Sequence, residues 1–176
     1  MFKELTIKYR PRRQELERLY DHLSDLFTRL GVNKEDRGEF SEIGDTDITQ
    51  ERLNRFKQRI NTLDELIEQR ENLFASLESR ISTLNSELQE EMLQDIKDII
   101  SHESISDSSL QRLQEEEARL EELKSNRQEE SDELIKEIQH YYLIFAVDPS
   151  DQIETQTDLS ENTLNKLRDE VEFLRE

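Results

Sequence analysis

Cysteine and tryptophan are absent from the 176 residues, which hold only three glycines and two prolines. Without cysteine there is no disulfide, no thiolate ligand and no thiol nucleophile, which fits a reducing compartment. So few glycines leave no Gly-rich phosphate loop and no strained Gly-x-Ser-x-Gly turn. Histidine is nearly as scarce: His22, His102 and His140 lie far apart and not at metal-ligand spacing. Acidic runs such as Glu115-Glu116-Glu117 lack the glycine and alternating oxygens of a calcium loop, and read as solvated helix faces. No apolar run approaches the roughly 20 residues that span a bilayer, and the N-terminus has no apolar signal core. Nothing here carries catalysis, a metal or a cofactor, so the reading is a non-enzyme of the cytoplasm or nucleus.

Positive charge is short as well. The formal net charge is −19. Lys3, Lys8, Arg10, Arg12 and Arg13 stand against Glu4 alone, a local +4 that leaves −23 for the rest. An acidic body of this kind repels nucleic-acid phosphates, anionic membranes and the acidic surface of a microtubule. The basic segment, with Lys8, Arg10, Arg12 and Arg13, is the one place suited to an acidic partner.

What the chain has is helix formers with leucine spacing. Only 32% of residues are apolar and 38% are charged. That cannot fill a wide core, but it lines narrow seams between long helices. One seam runs Leu16, Leu19, Leu23, Leu26 with Phe27, and Leu30, with Pro11 as a first-turn residue and Gly31 as a left-handed cap. A second runs Leu53, Phe56, Ile60, Leu63, Ile67, Arg70, Phe74, Leu77, Ile81, Leu84 and Leu88, and is expected to continue to Ile100 with an irregularity near residues 90–92. A third begins at Leu110, turns polar across residues 124–133 and ends in Tyr141-Tyr142-Leu143-Ile144-Phe145 before Pro149. A fourth runs Leu164, Leu167, Val171 and Leu174. A helix over residues 49–100 would span roughly 75 Å and one over 106–147 roughly 60 Å.

Three helix starts share one pattern. Ile48-Thr49 precedes Leu53, Ile105-Ser106 precedes Leu110, and Leu159-Ser160 precedes Leu164. In each, a hydroxyl N-cap sits between apolar residues at N′ and N4, the hydrophobic-staple arrangement. The recurrence predicts an array of helical units joined at the connectors 36–48, 101–109 and 148–160. The expected fold is all-α: an elongated, coiled-coil-like rod of long helices packed as antiparallel hairpins.

Arg70 interrupts the second seam. It either lays its stem along the seam with its head in water, or fixes register between helices. Arg127 holds a similar place in the third helix, and the two are expected to flank one joint. The aromatic run 141–145 either packs inside a hairpin end or forms an exposed docking patch. Ser101, Ser104, Ser106, Ser108 and Ser109 crowd one connector and suit an acidophilic kinase, whereas no Ser-Pro or Thr-Pro pair exists.

Residues 16–37, LERLYDHLSDLFTRLGVNKEDR, resemble the opening helix of the antiparallel microtubule cross-linkers. These are the anaphase spindle elongation factors of fungi, the animal protein regulator of cytokinesis and the plant sixty-five-kilodalton microtubule-associated proteins. The order SRISTLNSELQ (79–89), LEELKSNRQEESDELIKEIQHYYLIFAV (120–147) and LSENTLNKLRDEVEFLRE (159–176) is similar too. Tryptophan, frequent in the family where Phe27 stands, is missing, and residues 1–10 have no counterpart in the pattern. The resemblance implies a basic tail (1–11), dimerisation helices (12–100) and the start of a rod (101–176). It implies a homodimer that spaces two microtubule-binding regions lying outside this chain, a kinesin partner at the N-terminal end, and a place on the spindle in cytokinesis. The two copies are then expected to pair through Leu16, Leu19, Leu23, Leu26, Phe27, Leu30, Leu53, Phe56, Ile60, Leu63, Ile67, Phe74, Leu77, Ile81 and Leu84. The rival reading is a generic coiled-coil adaptor that pairs with a different helical protein.

Overall fold

The computed structural model describes residues 2–44, 48–155 and 158–176, and side chains from residue 9 onward. Five α-helices and two short 3-10 segments are joined by connectors among these residues, and the chain is all-α as expected. The order is α1 (Phe2–Arg29), a 3-10 segment (Lys34–Phe40), α2 (Gln50–Leu88), α3 (Gln94–Ser101), α4 (Asp107–Phe145), a 3-10 turn (Pro149–Asp151) and α5 (Glu161–Arg175). The chain divides into two compact units, Met1–Ser76 with Ser101–Gln111, and Leu77–Ile100 with Arg112–Glu176.

In the first unit α1 and the early part of α2 lie side by side. Glu15 pairs with Lys57 and Arg29 with Glu71. Both pairs join residues 42 positions apart, so the two helices run in the same direction. The fold-back falls to the segment between them. Its Arg37 donates to the Val32 carbonyl at 3.2 Å and the Ser24 hydroxyl at 3.0 Å. The Arg37 guanidinium lies 5.3 Å from the Phe27 ring centroid and that of Arg59 lies 5.7 Å away, so Phe27 is held by two cations. Phe40 meets Phe56 edge-on at 5.0 Å, and the Tyr20 hydroxyl donates to the Ser41 carbonyl at 3.0 Å.

The second unit repeats the scheme. Lys124 pairs with Glu87 at 2.6 Å, 37 positions apart, and Arg80 bridges Glu117 and Glu121, so the end of α2 and α4 are parallel. Arg168 grips Glu130 through two hydrogen bonds of 2.6 and 2.9 Å, and Arg175 grips Glu137 the same way at 2.8 Å, each 38 positions away. The α4–α5 pair is therefore parallel too. Each long helix folds back onto a short return segment, and the next long helix then starts beside it pointing the same way. The hairpin legs are thus the short segments, not pairs of long helices.

The start signals hold. Thr49 Oγ accepts from the Arg52 N–H at 3.2 Å, Ser106 Oγ from Ser109 at 3.3 Å and Ser160 Oγ from Thr163 at 3.2 Å. The ends repeat as well. Gly31, Gln89 and Ala146 have φ of 72°, 52° and 51°. The following N–H groups of Val32, Glu90 and Val147 reach back to the carbonyls of Phe27, Asn85 and Tyr142 at 2.9, 2.9 and 3.1 Å. These are left-handed helix stops, made by glycine once and by ordinary residues twice.

Three expectations change. The basic tail is not separate from the first helix, because α1 runs from Phe2 with Pro11 inside it. Proline holds φ near the helical value, so it forfeits one backbone bond without forbidding the helix. The single helix expected over residues 49–100 is two helices, because the stop at Gln89 turns the chain back and α3 forms the return. Glu116 is not solvated but 1% exposed. Arg119 grips it with bonds of 2.7 and 3.0 Å, and Arg112 stands 3.5 Å away on the other side.

Candidate functional site

The points that organise this chain are two joints, each built where one helix ends, another begins, and a third passes alongside. In the first unit α1 ends at Gly31, α4 begins at Ser106 and α2 supplies Arg70. Its guanidinium donates to the Ile105 carbonyl at 3.1 Å and pairs with Asp107. In the second unit α2 ends at Gln89, α5 begins at Ser160 and α4 supplies Arg127. Arg127 donates to the carbonyls of Leu88 and Leu159, both at 3.0 Å, and pairs with Glu90 at 2.6 Å and Glu161 at 3.4 Å.

The two arginines are equivalent. Each stands 21 positions after the hydroxyl cap of its own helix, Thr49 or Ser106. Each holds the carbonyl just before the next cap and the acidic residue just after it. A planar guanidinium suits this work, because its donors fork toward a carbonyl and a carboxylate together. Arg127 is nearly buried, with 9% of its side chain exposed, so its charge stays in place only because these acceptors surround it. Rather than flanking one joint as expected, Arg70 and Arg127 serve one joint each.

Asp158 completes the second joint. It accepts from the Ser160 N–H at 3.0 Å, the Thr163 hydroxyl at 2.7 Å and the Gln89 amide at 2.9 Å. Hydrogen bonds from the Ser160 and Thr163 side chains and the Ser160 backbone hold its carboxyl at about 2, below the usual carboxylate range. Ser104 and Ser109 are linked at 2.7 Å beside the cap Ser106 in the first joint, so the serine-rich connector is tied to the start of α4.

The seam residues are packed inward. Leu16, Leu23, Leu26, Phe27, Leu30, Leu53, Phe56, Ile60, Leu63, Ile67, Phe74, Leu77, Ile81 and Leu84 are buried within the single chain, and Leu19 is half-buried. They form its interior. Arg10, Arg12 and Arg13 are exposed, and the Lys8 side chain lies outside the described residues. The aromatic run splits: Tyr142 is buried while Leu143, Ile144 and Phe145 are exposed. His22, His102 and His140 are all exposed. Among the described residues no group of three or more His, Cys, Asp or Glu is placed to hold a metal ion, and no helix is long and apolar enough to cross a membrane.

Sequence reading missed Asn85, a buried amide with no hydrogen-bond partner for its side chain. It stands four residues before the left-handed stop of α2, where α1 and α4 have Phe27 and Tyr142.

Among curated proteins and among solved structures nothing matches this chain. The family model described as microtubule associated protein (MAP65/ASE1 family) matches residues 1–176, the basic first ten residues included. A chain matched from end to end, all-α and leucine-seamed throughout, is a member of the MAP65/ASE1 family of microtubule associated proteins.

Proposed function

We propose that this chain is a non-enzymatic homodimerisation and spacer module of a microtubule-bundling protein that works at the spindle midzone in cytokinesis. The observation that carries the spacer reading is the pair of equivalent arginine joints. They repeat one rule for joining a helix end to a later helix start, as an array of similar units does. The acidic body then keeps this segment off tubulin, and microtubule contact belongs to regions outside residues 1–176.

Since the seam is filled from within, two copies meet on surface that one chain leaves open. The register of α1 on α2 puts Thr49 opposite residue 7, so the start of α1 runs past its neighbour. That overhang has Phe2, Leu5 and Tyr9 in its sequence, and Tyr9 is 49% exposed. The exposed Arg10, Arg12 and Arg13 beside it suit an acidic partner such as a kinesin segment. The rival reading, an adaptor that pairs with a different helical protein, leaves the isolated chain monomeric.

Size-exclusion light scattering over a concentration series separates the two. A mass of twice 21.1 kDa, returned to one copy by Leu5→Asp with Tyr9→Asp, is the expected result. A concentration-independent monomer overturns homodimerisation.

A further inference from the structure

The residue two positions before each hydroxyl cap sets one helix start apart from the others. It is Asp47 before Thr49 and Asp158 before Ser160, but Ser104 before Ser106. Asp47 lies outside the described residues, and the other two starts match bond for bond. The Ser106 hydroxyl accepts from the Ser109 N–H at 3.3 Å, as that of Ser160 does from Thr163 at 3.2 Å. The Ser104 hydroxyl lies 2.7 Å from that of Ser109, and the Asp158 carboxylate lies 2.7 Å from that of Thr163. Ser104 therefore stands in the place of a carboxylate and lacks its charge.

That place favours an anion. The Asp158 carboxylate collects the Ser160 N–H and the Thr163 hydroxyl, and these bonds hold its carboxyl at about 2. The positive end of α5 acts in the same sense. An acidic residue after the cap does not prevent it. Glu161 follows Ser160 as Asp107 follows Ser106, and each pairs with the arginine of its joint.

The sequence around Ser104 also suits the addition of charge. Ser104 is half-buried in the non-helical stretch between α3 and α4, with Glu103 exposed at −1 and Asp107 88% exposed at +3. Acidic side chains so placed complement the basic substrate groove of an acidophilic serine kinase. Ser101, Ser106, Ser108 and Ser109 have no acidic residue at +3. Thr62 has Glu65 there, but it lies within α2 with its hydroxyl on the Gln58 carbonyl at 3.0 Å. Thr155 has Asp158 there, a carboxylate already taken up by the second joint.

We propose that Ser104 is a phosphorylation site whose phosphate completes the first joint as Asp158 completes the second. The Ser104 oxygen attacks the γ-phosphorus of ATP, and its new O–P bond forms as the bond to the bridging oxygen of ADP breaks. The hydroxyl proton passes to the catalytic base of the kinase. The phosphate then accepts from the Ser109 hydroxyl and the Ser106 N–H at the positive end of α4. Modification thus tightens the start of α4, where Ser106 meets Gly31 at the end of α1. This goes beyond the spacer and homodimer reading and does not rest on it.

The test treats the whole 176-residue chain with a purified acidophilic serine kinase and ATP. Peptide mass mapping is expected to place one phosphoryl group on Ser104, and none on the Ser104→Ala chain. The phosphorylated chain is expected to melt about 2–4 °C higher, and its Ser106 amide to exchange hydrogen about tenfold more slowly. Ser104→Asp is expected to shift both readings the same way without kinase, so it tests the joint apart from the choice the kinase makes. A phosphate on another residue in place of Ser104, or no phosphate at all, overturns the site. Phosphorylated Ser104 with unchanged amide exchange or an unraised melt overturns its role in the joint, as does the same result from Ser104→Asp.

Discussion

Gly31 and Ser106 meet so closely that a Cβ placed on Gly31 would lie 2.9 Å from the Cβ of Ser106. The end of α1 and the start of α4 are thus in direct contact beside α2, and only glycine fits. At φ 72° an L-residue there is strained even without the contact.

Gly31→Ala is expected to lower stability by about 2 kcal/mol, the left-handed strain and the contact acting together. Ala146→Gly goes the other way. Ala146 holds the same backbone conformation with no helix start beside it among the described residues, so glycine there is expected to add about 0.5–1 kcal/mol. Urea unfolding of both variants checks this, and shifts of the same sign defeat the account.

Removing Arg127 strands two carbonyls and takes the paired cation from Glu90, while Glu161 keeps Arg168 at 2.8 Å. Arg127→Met is expected to cost about 3 kcal/mol. Arg127→Lys should recover less than half, because a single ammonium lacks the planar fork. Arg70→Met is expected to cost less, since Arg70 holds one carbonyl and an Asp107 that is 88% exposed. Equal losses at the two sites would show that burial does not set the strength of a joint.

Asn85 offers a gain. Its buried amide makes no side-chain hydrogen bond, and Asn85→Leu replaces it with an apolar group in a leucine seam. The expected change is about +1 kcal/mol in unfolding free energy, read from the denaturation midpoint at unchanged slope. A loss would mean that the amide is satisfied in solution.

Acid should loosen the second joint through Asp158. Its folded carboxyl is lowered to about 2, so the carboxylate stabilises the fold above the ordinary carboxylate range. That contribution fades as pH falls from about 4 through about 2. Thermal melts of the native chain and Asp158→Asn are expected to differ at pH 6 and converge near pH 2. Taking the difference cancels the relief of acidic self-repulsion, which both share. A gap that persists at pH 2 would remove the joint carboxylate from the account.

Leu23 is fully buried inside one chain. Leu23→Asp with Leu26→Asp is therefore expected to melt the first unit by circular dichroism rather than split a folded dimer. Two charges placed in that seam have no partners. A variant that stays helical with an unchanged melt would show that α1 is held elsewhere.

Much of this was legible beforehand. The three caps and the seams follow from residue type and spacing. Helix direction did not, because leucines at 3-4 spacing look the same whichever way the neighbour points. The information was in charge instead: Lys124 against Glu87 and Arg168 against Glu130 fix parallel register, but only once the offset is known. Glu116 was hidden inside an acidic run, although the arginines at i−4 and i+3 were visible signals. Arg70 and Arg127 were conspicuous, and their shared 21-residue distance from a cap would have assigned them to separate joints.

Parallel pairing also sets how such a chain folds. An antiparallel hairpin can zip from its turn, adding neighbours a few residues apart at each step. Here the ion pairs between long helices join residues 37 to 42 positions apart from the first contact onward. Each pairing closes a loop of that length before any seam contact stabilises it, and later contacts in the same pair close loops no shorter. The return segments become the early steps. Arg37 on Phe27, and α3 beside α4 through Asp95 and Arg112 at 2.7 Å, are the closures that place the next helix within reach.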